Sequence, residues 1–542
     1  MREIFRLILG SLLLMALGFT VLKNQAEPVK NLMRDADLIR VGISDETMTQ
    51  QEYPSVTVSS TSSYRILQGD KPIWHSPAFL NVRITRILSG FLIHPVTGGA
   101  IGPYGGVLTV EPETPEGRLR LTHLTRKGQI PSYRGIFEIL PASSSLQKLM
   151  AVNVLPMQEY LKAVVPNELP IQYGYEAVKA QSVAARNYAI HPREKPWPQF
   201  DICDSQYCQA YYGSQTEQPQ VTQAIAETQG LIALYQGEPI LALYSSSQGG
   251  YRESYENTFS DPITNKFPAT PLPYLEGGPD IGPVLKLDTE ETARNFYLSW
   301  YPDSYDVASP MYRWHKTWSR RELESEINRN LAVTWQDTST RPFIRPAFPP
   351  KTTIGSLKDI IVLQRGVSGK AMRVALVGSH GTWILSKEFV IRKVLKNQGR
   401  FLPSANVVFD LHRSSVEAFG GGLGHGVGMS QIGASMMSKH GSSFPQILKH
   451  YYSGIAIGSI PLIATATEGM KTTFYADKPH ATLFVKGTSP TTVQVNDKTL
   501  TLTPQNLSLT VIDEYLKADS LNKLEVKPLQ VGSNSTVWVE LF

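Results

Sequence analysis

A chain of 542 residues is too long for one ordinary core, so about two to four domains are expected. With 42% hydrophobic, 18% charged and 9% aromatic residues it has a globular composition, and its 37 prolines point to strands and turns instead of long charged helices. A formal net charge of +5 is too mild to argue for a polyanionic partner, and no nucleic acid is expected as one.

Arg2 and Arg6 precede Leu7 to Leu22, sixteen residues without a charge, and Lys23 follows. That is the basic start and apolar core of an export signal. Asn24-Gln25-Ala26 is a weak cleavage site, so residues 1–30 read as a signal peptide or an uncleaved signal anchor, although the run is short for a full span. No later segment reaches the length of an apolar span. The expected location is outside the cytoplasm, in the periplasm or cell wall, with membrane contact only through the N-terminal segment.

From Ile39 to about Leu140 short alternating runs such as Val56-Thr57-Val58 and Leu108-Thr109-Val110 are broken by Gly, Pro and Ser, so residues 31–145 read as strand-rich. Residues 146–460 carry the motifs. Met157 to Val165 has helical spacing, which Pro166 is expected to stop. Glu168 then falls on a loop between prolines, beside Leu169. A carboxyl held among apolar neighbours can stay protonated as a general acid, although most loop glutamates are only solvated.

Tyr175 to Ile190 is a helix with Ala177, Ala180, Ala184 and Tyr188 along one side, small enough for a close neighbour. Arg186 lies on it, in a structural ion pair or at a ligand. Cys203 and Cys208 are four residues apart, with Asp201 and Asp204 nearby. A disulfide, half of a metal site and two unpaired thiols all remain open for the pair.

Strands are expected at Leu231 to Tyr235 and Ile240 to Tyr244, followed by Ser245-Ser246-Ser247-Gln248-Gly249-Gly250. This run has no G-x-S-x-G elbow, which argues against serine-hydrolase chemistry. In the Pro- and aromatic-rich stretch that follows, Trp314, Trp318 and Leu323 are expected to dock a helix. Six glycines from Gly420 to Gly428 then surround His425, with Gln431 just beyond. They expose backbone to a bulky ligand, and neither phosphate-binding glycine loop is present. Helices are expected near Met429 to His440 and Pro445 to Tyr452. Residues 465–542 alternate with period two and read as a C-terminal all-β domain of sandwich type. The fold class is α+β: a strand-rich domain with a few short helices, plus that C-terminal domain.

Taken in order, these motifs resemble the SpoIID/LytB family of cell-wall proteins. The resemblance runs through Asn153 to Pro156 with Pro166 to Pro170, Ala177 to Tyr188, Cys203 to Tyr212, Tyr244 to Gly250, and Gly424 to Ala434 with Ile447 to Gly454. It implies a SpoIID-like lytic transglycosylase that breaks the β-1,4 bond between N-acetylmuramic acid and N-acetylglucosamine in strands lacking stem peptides, leaving a 1,6-anhydro end. Glu168 would be the acid/base, and Arg186, Ser246, Ser247, Gly249, Gly250, His425 and Gln431 would bind the glycan. The alternative within the family is a non-catalytic enhancer of an N-acetylmuramoyl-L-alanine amidase. The family commonly binds zinc through Cys, His and Cys, but Tyr207 stands in the histidine's place. The departure puts zinc in doubt and favours a Cys203–Cys208 disulfide.

Overall fold

Alternation of buried and exposed residues drives the first half of the chain into strands. Val56 and Val58 on Ser55–Ser60, Val82 and Ile84 on Val82–Ile87, and Phe91 and Ile93 on Gly90–His94 are buried, while Thr57, Arg83 and Leu92 between them are less so. A computed structural model describes residues 38–191, 198–205, 207–299, 303–464, 469–526 and 535–542. The proposed signal or anchor, residues 1–30, lies outside them. No helix among the described residues is long and apolar enough to cross a membrane.

The chain divides into two compact units. The first comprises Met1–Tyr160 with Gln199–Cys203, and its regular elements among the described residues up to 156 are all strands. A six-stranded sheet has Ser55–Ser60 and Val82–Ile87 at its centre, and a seven-stranded sheet pairs Leu38–Gly42 with Leu149–Pro156. The Tyr64 hydroxyl of the larger sheet donates to the Leu80 carbonyl at 2.7 Å. Asn153, a motif residue, is fully buried in the strand Leu149–Pro156. Its amide donates to the Arg134 and Ile136 carbonyls at 2.9 Å each, so it serves the sheet.

The second unit comprises Leu161–Pro198 and Asp204–Phe542. Helix α1, Met157–Glu168, leads into it, then α2 (Tyr175–Ile190) and α3 (Pro219–Ala226). Helices α4 (Glu290–Leu298), α5 (Arg320–Gln336) and α6 (Glu388–Val394) follow, then α7 (Gln431–Lys439) and α8 (Phe444–Tyr451). The alanine stripe works as its spacing implies: Ala177, Ala180 and Ala184 are fully buried, and α2 packs on α7, α8 and the strand Leu231–Tyr235.

Pro166 does not stop α1, which runs on to Glu168. The proline lacks one N–H, but it falls in the last turn, so little helix remains beyond it to be lost. The Asn167 amide donates to the Ala163 carbonyl at 2.7 Å and to Thr216 Oγ1 at 2.8 Å, so the frayed end is held by a side chain.

Trp314 and Trp318 lie on the strand Trp314–Ser319 and share a core with Leu323 of α5. Ser319 caps α5 reciprocally with Glu322. Beyond Pro461 the regular elements among the described residues are strands and one short 3-10 turn. Their strand Ser535–Leu541 pairs with Ala456–Ser459, which pairs in turn with Leu231–Tyr235, so one sheet runs through all three segments. Phe474, Leu483 and Val537 lie in one hydrophobic cluster with Ala180 and Leu448.

Candidate functional site

Seven chain segments meet around one cleft of about 410 Å³ in the second unit. Glu168 enters from the C-terminal end of α1, and Tyr188 from α2. Tyr207, Cys208 and Ala210 come from the loop that follows. Tyr244, Ser245 and Ser246 come from one edge, and Leu423, Gly424, His425 and Gln431 from the glycine-rich loop and the start of α7. Phe259 and Arg392 complete the wall.

The two loops are locked together by backbone pairing. Tyr244–Ser245 runs parallel to Met429–Ser430, and Ser247 and Leu423 exchange hydrogen bonds of 3.2 and 2.9 Å. Gly424 has φ +105°, and a Cβ there would lie 2.8 Å from Ser245 Cβ. Only glycine combines that conformation with so close an approach. The glycine cluster therefore lets two backbones meet at the cleft wall.

Glu168 Oε1 accepts from the Ala210 amide at 2.7 Å. Burial raises its carboxyl above the usual range, against the opposing hydrogen bonds of Ala210 and Gln431. Its place at the C-terminal end of α1 works in the same direction, because the helix end carries partial negative charge. Gln431 Nε2 donates to the Glu168 carbonyl at 3.1 Å and approaches Gln181 Oε1 at 3.5 Å. Gln431 thus fixes the turn that carries the acid. No other Asp or Glu lines the cleft among the described residues.

His425 forms part of the wall, with its ring edge-on to Phe259 at 5.4 Å between centroids. Its Nδ1 accepts from the Val427 amide at 3.1 Å, and the ring also hydrogen-bonds the Tyr244 backbone. Burial pushes its pKa down to about 4, outweighing the attraction of Glu388, while Lys370 and Arg392 repel the proton further. At neutral pH it is an uncharged imidazole engaged on both sides, suited to shaping the wall more than to moving protons.

The remaining expected residues sit elsewhere. Ser246 lines the cleft, but Ser247, Gly249 and Gly250 are buried behind it. The Gly249 and Gln248 amides donate to Asp306 Oδ2 at 2.9 and 2.5 Å, and Ser247 Oγ accepts from Ser309 Oγ at 2.9 Å. They brace the edge and do not touch the cleft. Arg186 is fully buried away from it and donates to the Leu231 carbonyl at 2.7 Å. Beside it Asn187 bonds Ala233 through both amide atoms, at 2.8 and 2.7 Å. Arg186 therefore stitches α2 to a strand and binds no ligand in the cleft.

Cys203 and Cys208 are both disulfide-bonded, and the chain has no other cysteine. Oxidised sulfurs offer no thiolate, Tyr207 offers a phenol in place of an imidazole, and Asp201 Oδ2 accepts from the Arg40 amide at 3.0 Å. The residues present do not fit the zinc site of the resemblance. No cluster of three metal-ligating side chains occurs among the described residues.

Phe259 and Arg392 were not singled out from sequence. Each lies in a segment without a legible period, and only the fold brings them to the wall.

Comparison with known proteins matches two parts of the chain. Residues 145–235 match the family model described as Stage II sporulation protein, SpoIID. Residues 261–428 match a second model, a domain of unknown function, DUF8618. The amidase enhancer of Bacillus subtilis (strain 168) is 29% identical over 315 residues, covering 55% of this chain and 40% of that protein. Stage II sporulation protein D of Bacillus amyloliquefaciens is 27% identical over 324 residues, covering 57% of this chain and 75% of that protein. The protein of that name from Bacillus subtilis (strain 168) is 26% identical, covering 57% and 76%. The chain therefore spans less than half the length of the amidase enhancer it matches. With the motifs in this order, these matches support the SpoIID/LytB resemblance, which the family model carries over residues 145–235.

Proposed function

We propose that the chain is an exported peptidoglycan lytic transglycosylase in which Glu168 is the single acid/base. The observation that carries this reading is a lone carboxyl in the cleft, raised by burial and oriented by the Ala210 amide. A hydrolase of the usual kind uses two carboxyl groups across the bond. One suffices when the nucleophile belongs to the substrate. The Glu168 proton passes to O4 of N-acetylglucosamine as the C1–O4 bond breaks. The 6-hydroxyl oxygen of the muramic sugar then bonds to C1, and its proton returns to the Glu168 carboxylate. The sugar closes on itself as the 1,6-anhydro form, and the acid is restored without water.

Tyr188, Tyr207, Tyr244 and Phe259 offer apolar ring faces to the sugars, and Tyr207 stands largely exposed at the rim. Export is supported by Arg2, Arg6 and the uncharged run Leu7 to Leu22, which would place the cleft at the cell wall.

The test is incubation of the protein with glycan strands stripped of stem peptides, beside a Glu168→Gln variant, with products read by mass spectrometry. The reading expects anhydro ends from the wild type and none from the variant. The relative named amidase enhancer supports a second reading, in which the same cleft holds glycan while a separate cell-wall amidase is stimulated. A folded wild type that binds strands without cutting them, and raises the rate of an added amidase, would establish that reading instead.

A further inference from the structure

The last strand of the C-terminal sheet is apolar on the side that faces water. Asn506–Val511 pairs with Ala481–Gly487, which pairs with Ser535–Leu541, and no strand among the described residues pairs with its outer edge. Cross-strand partners share a face of the sheet. On one face Leu483, Val485, Val537 and Val539 lie in the hydrophobic core. On the other, Leu509 follows Phe484 and the stacked Trp538 in one row, with Leu507 and Val511 on either side. Trp538 is buried, but Leu507 is 49% exposed and Leu509 and Val511 are each 64% exposed.

The same three residues carry the outward backbone. The Ile512 amide donates to the Ala481 carbonyl at 3.0 Å, so by the alternation of an antiparallel ladder Thr510, Ser508 and Asn506 turn their N–H and C=O groups inward. Those of Leu507, Leu509 and Val511 therefore point out from the sheet edge. Other edges in the chain are blunted by lysine, proline or broken register, as edges usually are. Lys71–Ser76 begins with Lys71 and Pro72, Ile101–Tyr104 contains Pro103, and Lys498–Leu502 begins with a lysine. Leu357–Arg365 has Lys358 and repeated register shifts. Asn506–Val511 has no charge, no proline and no shift of register.

The sequence of the strand selects its partner. About a two-fold axis at Leu509, an antiparallel copy sets Leu509 against Leu509, Leu507 against Val511 and Ser508 against Thr510. Apolar meets apolar, hydroxyl meets hydroxyl, and no charge is buried. Because the outward groups belong to Leu507, Leu509 and Val511, these same apolar pairs are the hydrogen-bonded ones, each exchanging two bonds. Moving the axis to Ser508 sets Val511 against Gln505, and moving it to Thr510 sets Leu507 against Asp513.

We propose that Asn506–Val511 is an interface between two copies of this chain, which pair edge to edge about Leu509 and continue one sheet across the two-fold axis. The assembly closes as a dimer, because the far edge of the sheet is the short, proline-bearing Glu238–Pro239. With six residues a side the contact is below standard size, so association at about micromolar concentration or weaker is expected. The proposal is independent of the chemistry at Glu168.

The test is sedimentation of the full-length protein from about 1 to 100 µM, beside Leu509→Lys. The wild type should shift from monomer toward twice the monomer mass across that range. Leu509→Lys sets two like charges face to face on the axis and should remove the shift, with its circular dichroism unchanged. Register is read by cross-linking. Cys203 and Cys208 are disulfide-bonded, so Leu509→Cys introduces the one free thiol. The Cα atoms of a hydrogen-bonded antiparallel pair lie about 5.5 Å apart, within disulfide reach. Leu509→Cys should therefore oxidise to a covalent dimer. Leu507→Cys should not do so alone, yet should when mixed with Val511→Cys.

A wild type that stays monomeric throughout overturns the proposal, whether the edge is then bare or covered by other residues of the chain. A dimer that survives Leu509→Lys also overturns it, placing the contact elsewhere, such as the apolar run Leu7 to Leu22. If Leu509→Lys does not fold, the cross-links decide: Leu507→Cys joining alone as readily as Leu509→Cys overturns the proposal.

Discussion

Glu168 and the pair Asp280 and Asp306 are all withdrawn from water, yet they are built for opposite ends. Ser304 Oγ lies 2.9 Å from Asp280 Oδ2 and 2.6 Å from Asp306 Oδ1. One hydroxyl has one proton to give, so the second contact requires a proton on a carboxyl. Burial and the neighbouring Asp280 charge push Asp306 up. Burial alone would raise Asp280 as well, but its hydrogen bond and charge contact with His450, at 3.2 Å, outweigh that and hold it low. The proton shared through Ser304 is therefore held toward Asp306, with Asp280 the more acidic of the two. Their remaining oxygen contacts go to Tyr305, Tyr451, Gln248 and Gly249. Glu168 has one backbone donor on Oε1 and an open cleft before it. A saturated buried acid holds a loop in place, and a buried acid with room in front of it can exchange a proton.

The largest effect expected from this contrast is on rate. Glu168→Gln should lower strand cleavage by at least about 10²-fold with the thermal unfolding transition intact. Retained cleavage would dissolve the distinction between the two sites. Asp306→Ala should act on the fold first. It leaves the buried Gln248 and Gly249 amides without their acceptor, and a loss of about 2–4 kcal/mol is expected in urea denaturation. Wild-type stability in that variant would mean the network is not what braces the edge.

Gly424→Ala tests the wall itself. Strain at φ +105° and the approach to Ser245 should cost about 1–3 kcal/mol, read from the midpoint of unfolding.

The smallest effect concerns pH. A carboxyl raised in the folded state contributes stability that is complete below its unfolded pKa and is lost as pH rises through the folded value. Glu168→Gln, always neutral, escapes that loss. The two proteins should melt alike in acid, with the variant pulling ahead as pH rises past the ordinary carboxyl range. A gap of the opposite sign would mean that Glu168 is stabilised as its anion.

Much of the site was legible because its motifs are dense in residues with few other uses. Glycines from Gly420 to Gly428, the Ser245 to Gly250 run and Glu168 beside Pro170 each mark backbone that must do something unusual, and three dimensions bring them together. Arg186 misled because a charged residue on a helix looks the same from sequence whether it meets a ligand or a carbonyl. Its burial under the Leu231 carbonyl decides the matter. Pro166 misled because a proline can also fall inside the final turn, here two residues before the helix ends. The pair Asp280 and Asp306 left no sequence signal, since Asp280 meets Ser304 24 residues on and His450 170 residues on, and Asp306 meets Gln248 58 residues back; Arg392 likewise reaches the cleft wall only through the fold.

The central claim is that one carboxyl and the sugar's own hydroxyl do the work. It is tested most directly by running strand cleavage in water enriched in heavy oxygen and weighing the new ends. The account predicts anhydro ends that carry no heavy oxygen, with no such ends formed by Glu168→Gln. Reducing ends that carry it would contradict the account, because water would then be the nucleophile.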